Sequence, residues 1–400
     1  MALAEPNMTM TPPAQAARAA APATTRDPRL DFFRGIAMFI ILVAHTPSNW
    51  LTLWIPARFG FSDATEIFVF CSGMASAIAF GRVFRDRGMV MGTFRVAQRV
   101  WQVYWAHICL FFAIAATMVV LNNSFPDGRD YIGQLNLYPF FKDPQTNLVG
   151  LLTLTYVPNY FDILPMYLVI LAMMPIMIGL ARVHVGLAAM AVIAIWLTAN
   201  LFDANLPAEP WSQRQWFFNP FGWQLVFFTG FAFMAGWLPA PPVDRRLFWL
   251  AVAVVVAIIP FAYFRIIGQF PEIRAWRSEY KVLINKSDFG ILRYVHFLAL
   301  AYVAWVLVGP KGARIQPGTG TGWVTKTWTV LLAVIMKVGQ QSLAVFVSSM
   351  YLARLMGVVL DNVGRTHFSM LWVNLLGFAI IIAVAYGVAW FKSQPWKKRA

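Results

Sequence analysis

Charged residues and cysteines are both scarce in this chain. Of its 400 residues only 12% are charged, with 17 acidic side chains against 32 basic ones, and two residues are cysteines. Too little polar surface is left to cover a soluble domain of this length, which excludes the soluble globular classes. Cys71 and Cys109 both fall in apolar segments, so we interpret them as small buried hydrophobic residues rather than as a disulfide framework.

Several motifs of well-known chemistries are also missing. The sequence has no His and Cys spacing typical of zinc, no glycine-rich phosphate loop and no Gly-x-Ser-x-Gly elbow, so no metal is expected. The glycine-rich stretch 318–322 is interpreted as a loop. His107 lies in an apolar segment without an evident polar partner, and a core histidine is the default interpretation.

What the chain does contain is apolar and aromatic. Hydrophobic residues make up 59% of it, the mean hydropathy is +0.61, and the 16% of aromatic residues include 17 tryptophans, which is typical of a helix bundle with interfacial belts. The net charge of +15 sits at the ends of apolar segments rather than in one basic domain. This distribution favours a membrane protein and argues against nucleic-acid binding.

The apolar segments predict an all-α, polytopic membrane bundle of about ten spans. Residues 1–25 are interpreted as a disordered cytoplasmic tail without a secretory signal, 26–394 as one transmembrane domain, and 395–400 as a basic cytoplasmic end. The predicted spans are 34–53, 62–81, 100–121, 162–181, 184–202, 219–238, 247–267, 289–309, 328–352 and 369–391.

The placement of basic residues sets the predicted orientation. With both termini cytoplasmic, most of the Lys and Arg residues fall on the cytoplasmic side, as membrane proteins prefer. One predicted outer loop breaks this pattern because it is itself basic; it contains Arg274, Arg277, Lys281 and Lys286.

Three ionisable residues share one stripe of the first apolar segment. Arg34 and His45 are eleven positions apart, which places them within about 20° around a helix and about 16 Å apart along it, and Asp31 lies one turn before Arg34. Ionisable residues at membrane depth are costly and mark functional sites by default. The stripe predicts a polar track from one membrane surface to the interior.

His45 is the candidate general base. A neutral imidazole suits proton removal from a hydroxyl, and Pro47 predicts a helix kink that opens space beside it. Glu66, one turn into the second span after Asp63, can orient the ring of His45, as a carboxylate does in a catalytic triad. The alternatives are a core histidine that joins two helices, and an N-cap with a first-turn acid.

Two further groups of polar residues suggest substrate contacts. Arg95, Arg99 and Gln102 recur on one helix face, where they can hold the phosphates of a donor such as coenzyme A or can simply anchor the protein to lipid headgroups. A second group lies at the outer mouth of the bundle and suits carbohydrate or, alternatively, an aromatic belt. It comprises Asn159, Tyr160, Asp162 and Tyr167, with Arg293 and His296 able to face the same cavity.

Five stretches of the chain resemble the OpgC-type membrane acyltransferases, which are relatives of membrane acyltransferase family three. They cover nearly all of the chain after its tail: 29–45, 63–73, 159–165, 293–301 and 339–346. The Arg-x(10)-His element of that wider family matches Arg34 and His45, and the resemblance implies roles for both in acyl transfer. It also implies that Arg95 and Arg99 form the family's basic element after the second span. The tail before Arg26 has no counterpart in the pattern.

The resemblance implies transfer of an acyl group, usually succinyl from succinyl-coenzyme A, to hydroxyls of osmoregulated periplasmic glucans in the bacterial inner membrane. No permanently bound cofactor is expected, because the acyl-CoA is a co-substrate, and the other partners are the glucan and membrane lipids. His45 then acts as the base, or as a nucleophile through an acyl-histidine. The alternatives are a transporter or exporter of a glucan, lipid or acid, and an acyltransferase acting on another envelope polysaccharide or lipid.

Overall fold

The computed structural model describes residues 27–125 and 128–397, and within them the chain is all-helical, apart from one isolated β-bridge between Pro207 and Gln215. The all-α prediction is therefore confirmed. The predicted tail at 1–25 and the last three residues of the basic end lie outside the described residues. The helices in the described ranges are α1 (Pro28–His45), α2 (Ala64–Ser124), α3 (Tyr138–Lys142), α4 (Pro144–Thr153), α5 (Ile163–Val183), α6 (Val185–Leu201), α7 (Pro220–Ala235), α8 (Arg245–Ala262), α9 (Phe264–Gln269), α10 (Pro271–Glu279), α11 (Lys281–Ile284), α12 (Ile291–Val308), α13 (Trp323–Gln340), α14 (Ser342–Val363) and α15 (His367–Lys392).

Among the described residues, six helices are long and apolar enough to cross a membrane by length and composition: α2, α5, α8, α12, α14 and α15. Two shorter apolar helices, α6 and α7, accompany them. The chain is thus a membrane protein. The 18 residues of α1 include Arg29, Asp31 and Arg34, which makes this helix more charged than an ordinary span. The count of ten spans and the cytoplasmic position of both termini stay predictions.

The 61 residues of α2 contain two of the predicted spans and turn back at Gly88. A straight helix of that length would measure about 90 Å, three times the thickness of a bilayer core. Gly88 instead has a φ of 81°, a left-handed conformation that glycine adopts without strain. The start of α2 at Ala64 lies in a cavity with Ile163, and its second half packs Phe111 against Phe161. Both halves of α2 therefore reach the same end of the bundle.

The first helix ends earlier than predicted. The span expected at 34–53 begins at Pro28 and stops at His45, and Thr46 caps it in an extended conformation with ψ 115°. The residue before a proline is disfavoured in the helical region, so Pro47 ends α1 rather than kinking it. His45 consequently occupies the last turn of a helix, beside a loop.

The span predicted at 328–352 is wrong in its bounds. It crosses the junction of α13 and α14, which the non-helical Gln341 separates. Gln340, Gln341 and Ser342 interrupt the apolar residues here, but hydropathy averaged over the length of a span passes over so short an interruption and places one segment where the chain forms two helices.

The best-buried helix of the described residues is α7, which packs against α2. Gly73 of α2 lies against the backbone of Phe227, and Gly230 of α7 lies against the backbone of Phe70. A side chain at either glycine would meet main-chain atoms, so these small residues allow the close approach of the two helices. This contact fixes the first half of α2, which contributes to both ends of the candidate site.

Candidate functional site

His45 carries its ring in a defined orientation at the end of α1. Its Nδ1 lies 2.8 Å from the carbonyl oxygen of Ile41. Because a carbonyl oxygen can only accept a hydrogen bond, Nδ1 of the neutral ring carries the proton. The other nitrogen, Nε2, then keeps its lone pair, which is the state that a general base requires.

Tyr160 and Arg354 surround His45. The Tyr160 ring stands edge-on to the imidazole at 5.2 Å between centroids, and its hydroxyl donates to the carbonyl oxygen of Met350 at 2.7 Å. The Arg354 guanidinium lies 4.0 Å from the centre of the Tyr160 ring and donates to the backbone carbonyl of His45 at 3.2 Å. A cation over an aromatic face is stabilising, so Arg354 fixes both Tyr160 and the end of α1.

A cavity of about 460 Å³ opens beside His45, and we call it the histidine cavity. Two of the predicted acceptor residues, Asn159 and Asp162, line it together with His45, and Tyr160 forms another part of its wall. The buried Asp162 carboxylate accepts a hydrogen bond from the amide of Phe217 at 3.2 Å. Polar groups converging on a largely apolar pocket are what small ligands require.

An ion pair forms part of the wall of the histidine cavity. The Lys286 ammonium contacts Asp63 Oδ2 at 2.5 Å, while Asp63 Oδ1 accepts from the backbone amide of Thr65 at 2.7 Å and so caps α2. Asp63 and Lys286 both line the cavity. The N-cap interpretation of Asp63 is thus observed, and Asp63 also positions a cation.

Glu66 does not orient His45, which corrects the sequence-based expectation. One of its oxygens accepts from the backbone amide of Asp63 at 2.7 Å, completing a capping box, and the other accepts from Arg293 Nε at 2.9 Å. Glu66 is fully buried and Arg293 is 7% exposed. The two form a buried salt bridge that joins α2 to α12, and the ring of His45 is held by Ile41 instead.

Arg293 and His296 are not among the residues that line the histidine cavity. The Arg293 side chain is occupied by Glu66, and His296 Nδ1 accepts from the backbone amide of Ser62 at 3.2 Å and pairs with its hydroxyl at 2.7 Å. The ring of His296 packs against Gly60. These two residues shape the loop that precedes α2, and their role in acceptor binding stays a prediction.

A second, larger cavity of about 960 Å³ lies at the other end of α1, and we call it the arginine cavity. Four guanidinium groups line it: Arg34, Arg82, Arg85 and Arg182. Arg34 also donates to the hydroxyl of Ser342. Asp31 is fully buried where the backbone of α1 packs against Gly339.

A connecting cavity of about 20 Å³ lies between the other two. It shares Arg34 with the arginine cavity and shares Phe68 and Ile163 with the histidine cavity. Arg99 lines this small cavity and also donates to Gln102 at 3.2 Å. Arg95 is exposed and pairs with Gln98 at 2.9 Å. Of the two arginines predicted to bind the acyl donor, Arg99 thus lines a cavity and Arg95 lies on the surface.

Sequence reasoning did not identify several residues in and beside these cavities. Arg82, Arg85 and Arg182 line the arginine cavity, and none of them is a candidate site residue in the sequence analysis. Lys286 had a usable signal, because it belongs to the basic outer loop that conflicts with the expected charge distribution. Arg354 had one too: it is a charge within an apolar helix, but the span predicted to end at 352 excluded it.

Comparison with known proteins gives one result. The family model described as OpgC protein matches residues 26–393. No curated protein matches the chain, and no solved structure does. The match and the apolar helices fit a membrane acyltransferase. Since the family model spans nearly the whole sequence, the chain belongs to the OpgC protein family.

Proposed function

We propose that this protein is an integral membrane O-acyltransferase. It moves an acyl group from an acyl-CoA on the cytoplasmic side to a carbohydrate hydroxyl on the opposite side of the bacterial inner membrane. Succinyl-CoA and osmoregulated periplasmic glucans are the substrates that the family resemblance favours. The observation that carries the proposal is the fixed tautomer of His45 in a cavity that adjoins, through the connecting cavity, an arginine-lined one.

The arginine cavity is the proposed donor site. Guanidinium groups bind phosphates through paired hydrogen bonds, and four of them surround about 960 Å³ of space. This assignment places the phosphates near Arg34, Arg82, Arg85 and Arg182 instead of near Arg95, the residue predicted from sequence. Arg99 lies further in, where the thioester arm would pass toward His45.

The histidine cavity is the proposed acceptor site. Sugar rings combine apolar faces with many hydroxyls, and this cavity combines the aromatic Tyr160 and Phe217 with the polar Asn159 and Asp162. Phe217 is 47% exposed, so it lies at the mouth of the cavity, where a longer chain of sugars would continue. The acceptor would enter here with one hydroxyl directed toward His45.

The proposed reaction needs one base and no acyl-enzyme intermediate. His45 Nε2 removes the proton of the sugar hydroxyl as its oxygen attacks the thioester carbonyl carbon. The tetrahedral intermediate then collapses, the C–S bond breaks, and the coenzyme A thiolate leaves with the proton that His45 had taken. An ester and free coenzyme A are the products, and the imidazole returns to its neutral state.

Mass spectrometry of periplasmic glucans tests this proposal in cells. Glucans from cells with the wild type should gain the mass of one acyl group per modified hydroxyl, and cells without the protein or with His45→Ala should lack that gain. Immunoblots of the membrane fraction must show equal amounts of both proteins. Unmodified glucans in all three strains would refute the glucan acceptor, and labelled substrate that crosses the membrane unchanged would instead identify a transporter.

A further inference from the structure

Acyl transfer at His45 also produces a negative charge on the thioester carbonyl oxygen, and His45 itself cannot neutralise that charge. When the hydroxyl oxygen attacks the thioester, the carbonyl oxygen becomes an oxyanion, and enzymes stabilise it with hydrogen-bond donors or cations placed in advance. In the proposed reaction His45 accepts the proton of the attacking hydroxyl group, and it therefore lies beside the hydroxyl oxygen rather than beside the carbonyl oxygen. The oxyanion therefore needs a separate donor in the same cavity.

Among the described residues that line the histidine cavity, Lys286 supplies the one ammonium or guanidinium group. The other ionisable side chains there are His45, the carboxylates Asp63 and Asp162, and the phenol of Tyr160. Arg354 contacts the Tyr160 ring and the backbone of His45 and is not among the lining residues.

Lys286 is held at both its main chain and its side chain. Its carbonyl oxygen accepts a hydrogen bond from the buried Trp223 indole at 2.9 Å, and the carbonyl of Ser287 accepts from the amide of Asn219 at 3.0 Å. The ammonium contacts Asp63 at 2.5 Å and lies 5.6 Å from the centre of the Phe218 ring. A cation fixed in this way is oriented before any substrate binds.

The pairing with Asp63 leaves Lys286 able to donate further. An ammonium group has three N–H donors, and the contact with Asp63 Oδ2 uses one of them. The charge of Asp63 is shared with the N-terminus of α2, because its Oδ1 accepts from the amide of Thr65. The carboxylate thus keeps the lysine charged and in place without occupying all of its donors.

We propose that Lys286 is a catalytic residue that donates a hydrogen bond to the thioester carbonyl oxygen; this role rests on the proposed acyltransferase function. As the hydroxyl oxygen forms its bond to carbon, the electron pair of the carbonyl moves onto oxygen beside the Lys286 ammonium. It returns to reform the carbonyl when the C–S bond breaks. Lys286 keeps its protons throughout, and the hydroxyl proton travels through His45 to the leaving thiolate.

The test is steady-state kinetics of acyl transfer by purified full-length protein, with succinyl-CoA as donor and an unmodified periplasmic glucan as acceptor. Lys286→Met should lower kcat by about 100-fold with the KM for acceptor little changed, because the lost interaction forms in the transition state. Lys286→Arg should keep more activity than Lys286→Met. Lys281→Met, an exposed lysine of the same loop, should match the wild type.

The double variant Asp63→Asn with Lys286→Met separates chemistry from structure. If Lys286 only balances the charge of Asp63, removing both charges should restore activity, and that result would overturn the proposal. Continued loss of kcat in a double variant that unfolds at the wild-type temperature supports it. A rise in the KM for acceptor without a loss of kcat in Lys286→Met would overturn the proposal as well, because it would show that Lys286 binds the acceptor instead of stabilising the oxyanion. If the wild type transfers no acyl group, the proposed function itself fails and the role of Lys286 falls with it.

Discussion

At the scale of single residues, His45 owes its chemistry to its position at the end of α1. The carbonyl of Ile41 lies one helical turn before His45, so the imidazole of this last helical residue folds back along α1 and donates its Nδ1–H to that oxygen. A backbone group thus fixes the tautomer, which a sequence pattern of polar residues does not reveal.

Replacing His45 by alanine should remove acyl transfer and leave the fold intact. A single general base contributes about 10²- to 10⁴-fold to a rate, and the lost contact at Ile41 lies at a helix end. The measurement is release of free coenzyme A by purified protein in the presence of acceptor. His367→Ala, an exposed histidine at the start of α15, should keep wild-type activity.

Replacing Glu66 by alanine should destabilise the protein instead of changing its chemistry selectively. Breaking a buried ion pair leaves an uncompensated charge and costs about 3–5 kcal/mol, and here it strands Arg293 between α2 and α12. Thermal unfolding in detergent should show a clear drop in Tm. A double variant, Glu66→Gln with Arg293→Met, should recover part of it. An unchanged Tm with a large loss of kcat would return Glu66 to the catalytic role predicted from sequence.

At the scale of the helices, the sequence predicts membrane segments better than it predicts their ends. Hydropathy locates the apolar stretches, since each must satisfy its backbone internally in lipid. It fails at the junction of α13 and α14, where the short polar stretch at Gln341 separates two apolar helices, and it places the end of α1 eight residues too late. Turn chemistry rather than hydropathy decides these ends, as Pro47 does for α1.

The site shows the same limit. Spacing along one helix was enough to select Arg34 and His45, because residues of one stripe stay together whatever the rest of the chain does. The charged partners of Glu66 and Lys286, which are Arg293 and Asp63, lie more than 200 residues away in sequence, and helix periodicity carries no information about them. Tertiary contacts therefore converted Glu66 from an expected catalytic residue into half of a salt bridge.

An aromatic pair from two helices lies beside the histidine cavity. Phe68 of α2 and Phe346 of α14 stack with centroids 5.5 Å apart and planes 13° apart, and both are buried. Both line the histidine cavity, and Phe68 also borders the connecting cavity, whose volume of about 20 Å³ has room for roughly one water molecule. In the proposed reaction, a thioester arm that reaches His45 would have to move this pair apart.

Phe346→Ala should raise acceptor-independent hydrolysis of acyl-CoA, because water from the histidine cavity could then reach the thioester. Free coenzyme A released without any glucan present is the readout. Phe368→Ala, an exposed phenylalanine on α15, is the matched control and should leave hydrolysis at the wild-type rate. Hydrolysis that stays at the wild-type rate in Phe346→Ala would show that the stacked pair does not separate donor from water.

At the scale of the whole molecule, the arginine cavity and the histidine cavity lie at opposite ends of α1. Arg34 lines the first and His45 lines the second. Arg34 and His45 are about 16 Å apart along the helix, roughly half of a bilayer core. In the proposed reaction this separation would let the protein join a donor and an acceptor that lie on different sides of the membrane.

Removing arginines from the arginine cavity should weaken the binding of acyl-CoA. Arg82→Ala with Arg85→Ala should raise the KM for acyl-CoA by about tenfold or more and leave kcat nearly unchanged, since phosphate contacts persist equally in the ground and transition states. Arg87→Ala is the control, because Arg87 is exposed on the same helix and does not line the cavity. An equal rise in KM for Arg87→Ala would show that the effect comes from general surface charge and not from contacts in the arginine cavity.

Acyl transfer across a sealed bilayer is the strongest test of the proposed reaction, in which His45 joins a donor on one side of the membrane to an acceptor on the other. Protein is reconstituted in liposomes with acyl-labelled acyl-CoA on the arginine-cavity side and periplasmic glucan on the other, and the label on the glucan is measured for wild type and His45→Ala. We expect labelled glucan and a matching amount of free coenzyme A with the wild type, and neither product with His45→Ala. Labelling by His45→Ala at the wild-type rate, or labelling that requires both substrates on one side, would contradict it.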